Sequence, residues 1–176
     1  GKKRLHTLTV ARAGDKPGSL GITTPTFDPS GRILATAVVP SERDARGPRT
    51  NIPYRIAFWE VATGRLVAEC HCPRDFFRNV VFNSDGTLLA TAGRLGSSVM
   101  VWHTGTGKAL HTLRGWDPNS AAYAIAPVAF SPDGVLLATA APGGAAVLVE
   151  ARTGQEVYRW EARAPAVTAL AFSPDG

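Results

Sequence analysis

One five-residue turn recurs four times in this chain. Phe27-Asp28-Pro29-Ser30-Gly31, Phe82-Asn83-Ser84-Asp85-Gly86, Phe130-Ser131-Pro132-Asp133-Gly134 and Phe172-Ser173-Pro174-Asp175-Gly176 place their phenylalanines 55, 48 and 42 residues apart. Self-similarity at such a period marks a repeat architecture in which each unit buries its apolar faces against its neighbours. The turn itself has a mechanical basis. Asp28, Asn83, Ser131 and Ser173 are good first residues of a type I turn, and Pro29, Pro132 and Pro174 preset φ at the second. Gly31, Gly86, Gly134 and Gly176 supply the positive φ that closes a hairpin and that a side chain resists.

After three of these turns comes the same apolar run: Ile33 to Ala37, Leu88 to Ala92 and Leu136 to Ala140. A second motif follows each run and ends in Thr63-Gly64, Thr106-Gly107 and Thr153-Gly154, with the threonine four residues beyond Trp59, Trp102 or Val149. The apolar stretches are short, rich in Val and bounded by Gly and Pro, which favours strands over helix. Their lack of alternation implies burial on both faces. Each period therefore holds four strands, the content of one propeller blade. The fold class expected is an all-β propeller of four-stranded antiparallel blades over about 21–70, 77–113 and 122–160, with flanking strands over 2–10 and 167–172.

These residues resemble the WD-repeat (WD40-type) family, whose repeats carry a Phe-Ser-Pro-Asp-Gly hairpin, a small-residue second strand and a third strand ending in Trp-Asp. The match covers nearly the whole chain and points to a bacterial member. The marks it places here are Phe27, Gly31, Trp59, Phe82, Asp85, Gly86, Trp102, Phe130, Asp133, Gly134, Phe172, Asp175 and Gly176. The resemblance implies a rigid platform for protein partners, in bacteria often joined to a Ser/Thr protein kinase or another signalling domain. There are departures. Glu60, His103 and Glu150 stand where the family has its terminal Asp, Val149 replaces Trp, and the Gly-His pair is missing. The family's His-Asp-Ser/Thr-Trp tetrad is thus expected to be absent, leaving Thr36, Thr91 and Thr139 without those partners and the blades held by apolar contact alone.

Composition narrows the function. A net charge of +5 is mild and its arginines are spread, so no nucleic-acid partner is expected. Cys70 and Cys72 flank His71 on one strand and read as two semi-buried thiols, since a metal site needs about four ligands and no second cluster accompanies them. His6, His71, His103 and His111 lie in or beside strands, with no nucleophile elbow or zinc spacing. Exposed outer-strand histidine is the reading taken. No catalytic, cofactor or metal residue is assigned, and no enzyme activity is expected. An enzymatic rival exists in the quinoprotein-like propellers, to whose Asp-x-x-Thr-Gly motif and docking Trp the stretch Glu150 to Trp160 bears a loose likeness.

No apolar run approaches the roughly 18 residues of a membrane span, and a cytoplasmic setting is favoured. Aromatic and arginine side chains beside loops are the usual interface anchors. Trp116, Tyr123, Arg78 and Arg94 are accordingly the residues expected to meet a protein or peptide partner. The basic insert between Pro40 and Pro53 is long for such a loop and reads foremost as solvated chain. Three blades do not close a ring that needs about four to eight, so the chain on its own is expected to self-associate through bare sheet faces and edges.

Overall fold

In the turn at Asp28 the side chain does what the sequence demands of it. Asp28 Oδ1 accepts from the Ile33 amide at 2.7 Å, Asn83 Oδ1 from the Leu88 amide at 2.9 Å, and Ser131 Oγ from the Leu136 amide at 2.9 Å. One acceptor at one position thus pins the start of the next strand in three successive hairpins. The glycines that close them have φ of +68°, +73° and +72° at Gly31, Gly86 and Gly134. The structure is a computed structural model, and it describes residues 20–40, 43–44, 47–48, 54–72, 77–93, 99–113, 127–161 and 167–176. The expected strand over 2–10 and residues 122–126 of the third expected blade lie outside the described residues.

The strands in chain order are β1 (Leu20–Phe27), β2 (Ile33–Pro40), β3 (Arg43–Asp44), β4 (Gly47–Pro48), β5 (Tyr54–Glu60), β6 (Arg65–Cys72), β7 (Phe77–Phe82), β8 (Leu88–Gly93), β9 (Val99–His103), β10 (Lys108–Leu113), β11 (Val128–Phe130), β12 (Leu136–Ala140), β13 (Ala146–Glu150) and β14 (Glu156–Trp160). They form three antiparallel four-stranded sheets, β1-β2-β5-β6, β7-β8-β9-β10 and β11-β12-β13-β14. The fourth sheet is the two-residue hairpin β3-β4, inside the Pro40 to Pro53 insert. A single 3-10 turn, Pro142–Gly144, is the only helical element among the described residues.

Strand β7 lies beside β1, and β11 beside β7, so the first strands of successive sheets are neighbours along an inner edge. Each sheet packs its face on the next. Ile56, Phe58, Ala35, Ala37 and Cys70 of the first meet Leu89, Val80 and Trp102 of the second. Leu88, Ala90, Val99 and Val101 of the second meet Val128, Leu137, Val147 and Val149 of the third. The unbroken apolar runs follow from this double burial. Successive four-stranded sheets stacked face to face, first strands innermost, are the blades of a propeller.

Two of the three threonines have a tryptophan partner within their own sheet, which corrects the expectation that all three lack one. The Trp59 indole Nε1–H donates to Thr36 Oγ1 at 2.9 Å, and that of Trp102 to Thr91 Oγ1 at 3.0 Å. The indole needs only the threonine across the adjacent strand, not a His or Asp behind it. Where Val149 replaces Trp, Thr139 Oγ1 is buried with no hydrogen-bond partner among the described residues. Residues Val167 to Phe172, expected as a flanking strand, are described but join none of the sheets. Their turn closes nonetheless, with the Gly176 amide donating to Ser173 O at 3.1 Å.

Candidate interaction surfaces

Strand polarity sorts the connections into two rims. The Phe-x-x-x-Gly hairpins and the Thr-Gly turns share one end of every sheet, tied by amides of Val61, Thr104 and Ala151 donating to the carbonyls of Arg32, Thr87 and Val135 at 2.8, 3.0 and 2.8 Å. The remaining connections between strands, 41–53, 73–76, 94–98, 114–127 and 141–145, begin and end at the opposite end.

The turn rim is locally self-satisfied. Burial alone would raise the Asp28 carboxyl, but hydrogen bonds from the Ser30 hydroxyl and from the amides of Ile33, Ser30 and Arg32 outweigh it and hold the group below its ordinary 3.8. The Thr87 hydroxyl and amide do the same for Asp85, and the Ser131 hydroxyl with the Val135 amide for Asp133. Glu60 accepts from the Thr63 hydroxyl and Glu150 from that of Thr153, at 2.7 Å in the latter pair. In all three turns the threonine hydroxyl also accepts from the amide two residues on, Arg65, Lys108 and Gln155, which accounts for its recurrence at that spacing.

Two sets of glycines face a neighbouring sheet. A Cβ on Gly86 would lie 3.2 Å from Asp28 Oδ2, and one on Gly134 3.0 Å from Asn83 Nδ2. In the Thr-Gly turns, a Cβ on Gly107 would lie 2.5 Å from the Glu69 carbonyl oxygen, and one on Gly154 2.7 Å from His111 Nδ1. The His111 Nε2 in turn lies 2.8 Å from Ala151 O, and Arg152 Nη2 donates to Thr87 Oγ1 at 3.3 Å across the same junction. His111 is therefore an inter-sheet bridge, which corrects its reading as an exposed outer-strand residue. His71 is exposed as expected. Cys70 is fully buried in the core between the first two sheets, and burial pushes its thiol up to about 12. Cys72 shares its face by register, Cys70 standing opposite Ile56 and Cys72 opposite Tyr54.

Of the residues expected to meet a partner, Trp116, Tyr123 and Arg94 lie outside the described residues. Arg78 lies on β7 at a register break between Phe77 and Asn79. The sequence reading passed over a different aromatic pair as a contact surface. Tyr158 and Trp160 on β14 meet edge to face with centroids 4.7 Å apart, and are 54% and 47% exposed. Counting from the Thr-Gly turns, Trp160 takes the place of Cys70 and Leu113, which pack into the cores between sheets. Laying the three repeats over one another would have singled it out.

No family model matches this chain, and no curated protein matches it. Solved structures do. The crystal structure of the computationally designed Ika4 protein is 20% identical, with a TM-score of 0.65 over 98% of this chain and 88% of that one. The designed Ika8 protein is 21% identical, with a TM-score of 0.59 over 87% of this chain and 40% of its own. U3-55K is 19% identical, with a TM-score of 0.60 over 86% of this chain and 42% of its own. The chain thus spans about two fifths of the latter two, and the likeness at these identities is one of fold. Among the described residues no helix is long and apolar enough to cross a membrane.

Proposed function

We propose that this chain is part of a WD-repeat propeller and acts as a non-catalytic scaffold that receives a protein or peptide partner on the rim of long connections. The observation that carries this reading is the division of the rims. On one, side chains and amides satisfy each other within five residues, between neighbouring strands or across a junction; on the other, all the length variation between repeats is collected, and loops set on a rigid frame are where binding residues concentrate. The fold likeness to the designed Ika4 protein and to U3-55K supports the rigid frame this reading needs. Trp116, Tyr123 and Arg94 belong by sequence position to this rim, and Arg78 stands at its edge.

Peptides selected for binding to the whole chain test the proposal. Trp116→Ala or Arg94→Ala is expected to weaken the selected peptides at least about tenfold, as truncation of an interface anchor does. Glu150→Ala on the turn rim is expected to leave them unchanged. Binding that survives both rim changes, or that Glu150→Ala abolishes while the fold persists, would sink it.

A further inference from the structure

Buried polar atoms without partners include Thr24 Oγ1 on β1 of the first sheet and three that gather at one junction. Thr139 Oγ1, His103 Nδ1 and His111 Nδ1 have no hydrogen-bond partner among the described residues, and all three belong to the junction between the second and third sheets. Thr139 stands opposite Val128 and Val147, both members of that junction's core. His103 stands opposite Leu88, and His111 opposite Val101, members of the same core from the other side.

The matching positions at the junction of the first and second sheets carry no such burden. Thr91, the counterpart of Thr139, accepts from the Trp102 indole. Glu60, the counterpart of His103, accepts from Thr63. Ala68, the counterpart of His111, has no polar side-chain atom at all. The apolar contents differ in the same sense: Phe58 meets Phe82 edge to face at 6.4 Å in the first junction, while the fully buried members of the second are Val, Leu and Ala, with Phe130 packed against them from one side. A buried polar atom without a partner carries its desolvation cost only while the junction is shut, so opening returns that cost. Larger aromatic faces lose more contact on separation.

We propose that the junction between the second and third sheets is a seam at which the stack opens under native conditions, the first two sheets moving as one body and the third coming away from them. Opening breaks the His111 bridge to Ala151 O and the Arg152 bond to Thr87, and leaves the Trp–Thr bonds of the first two sheets intact. This goes beyond the binding reading, since it stands whether or not a partner meets the far rim.

Native-state hydrogen exchange on the whole chain tests it. Once released, the third sheet has lost the face that supports it and its ladder opens, so amides of the β12–β13 ladder are expected to exchange at least about tenfold faster than those of β8–β9, which stay packed on the first sheet. Thr139→Val, which removes one unpartnered hydroxyl without changing shape, is expected to narrow that gap by about three- to tenfold. His103→Glu is a second repair, because it installs the acceptor that Glu60 and Glu150 offer to their threonines, here for Thr106. Equal exchange in the two ladders of the unaltered chain overturns the proposal. So does a gap that neither repair narrows, the outcome expected if an outer sheet simply frays.

Discussion

Replacing Gly107 by Ala is expected to destabilise the chain far more than replacing Gly31, although the two glycines have nearly the same backbone conformation. Their φ values are +66° and +68°, so the cost of forcing an L-residue into the left-handed region, roughly 1–2 kcal/mol, is common to both. So is the partial offset of about 0.4–1 kcal/mol from a less flexible unfolded chain. What differs is the space. The new methyl of Gly31→Ala meets nothing within 4 Å, whereas that of Gly107→Ala would lie 2.5 Å from the Glu69 carbonyl oxygen and 3.0 Å from its carbon. An ordinary carbon-to-oxygen contact is about 3.3–3.6 Å, so the first and second sheets must part by nearly an ångström there, and backbone cannot rotate out of the way as a side chain can. Overpacking of that kind costs about 1–3 kcal/mol. The expected totals are about 1 kcal/mol for Gly31→Ala and about 2–4 kcal/mol for Gly107→Ala. Urea unfolding followed by fluorescence of the buried Trp59 and Trp102 reads the difference as a midpoint lower by about 0.5–1.5 M for Gly107→Ala at unchanged slope. Equal midpoints for the two variants would refute the claim that this glycine is demanded by the neighbouring sheet as well as by its own turn.

Two further outcomes follow from the same geometry. Thr91→Val strands the Trp102 indole N–H, whose residue is 2% exposed, and is expected to cost about 1–3 kcal/mol in calorimetry; a melting temperature equal to that of the parent chain would show that the indole bond adds nothing. Acid should weaken the fold through the turn carboxylates. Asp28, Asp85 and Asp133 are held below 3.8 in the folded chain, so their contribution is complete above the unfolded value and disappears as pH drops through the lower folded ones. Stability should therefore be level between about pH 7 and 5 and fall below about pH 4. Asp28→Asn keeps the oxygen that accepts from Ile33, as Asn83 does for Leu88, and should make the acid fall shallower. An unchanged slope in that variant would remove Asp28 from the account.

How much of this was legible in the residues depended on how far apart the interacting groups stand. The hairpins were readable because Asp28 and Ile33, or Asn83 and Leu88, are five residues apart and the turn chemistry is local. The four-stranded grouping followed from counting apolar runs between turns. The Trp–Thr bonds were missed because the motif was weighed as a set of four groups, whereas an indole N–H needs one acceptor, and Thr36 and Thr91 are that acceptor on the adjacent strand. His111 was misread for a different reason. Its partner Ala151 O is 40 residues away in sequence and belongs to the next sheet, so no local pattern marks it. The proposed contact residues Trp116, Tyr123 and Arg94 fall in connections, where turn and strand rules say least.

The glycine contacts also explain why the repeats drift in length at one place only. Gly86 and Gly134 rest on the preceding hairpin, and Gly107 and Gly154 on the preceding outer strand. The turns of the second and third sheets on that rim thus answer two demands, a positive φ for their own chain reversal and a bare Cα for the sheet beside them. An added residue there would move both at once. On the opposite rim Gly143 meets nothing within 4 Å, and the Pro40 to Pro53 insert enters the first sheet between β2 and β5 without disturbing the register of either strand, Ile33 to Val38 pairing residue for residue with Glu60 to Arg55. Variation is cheap exactly where strands merely have to be rejoined. If the chain is the scaffold proposed above, keeping its sheets in fixed contact while presenting a changeable surface places that surface on the rim of long connections.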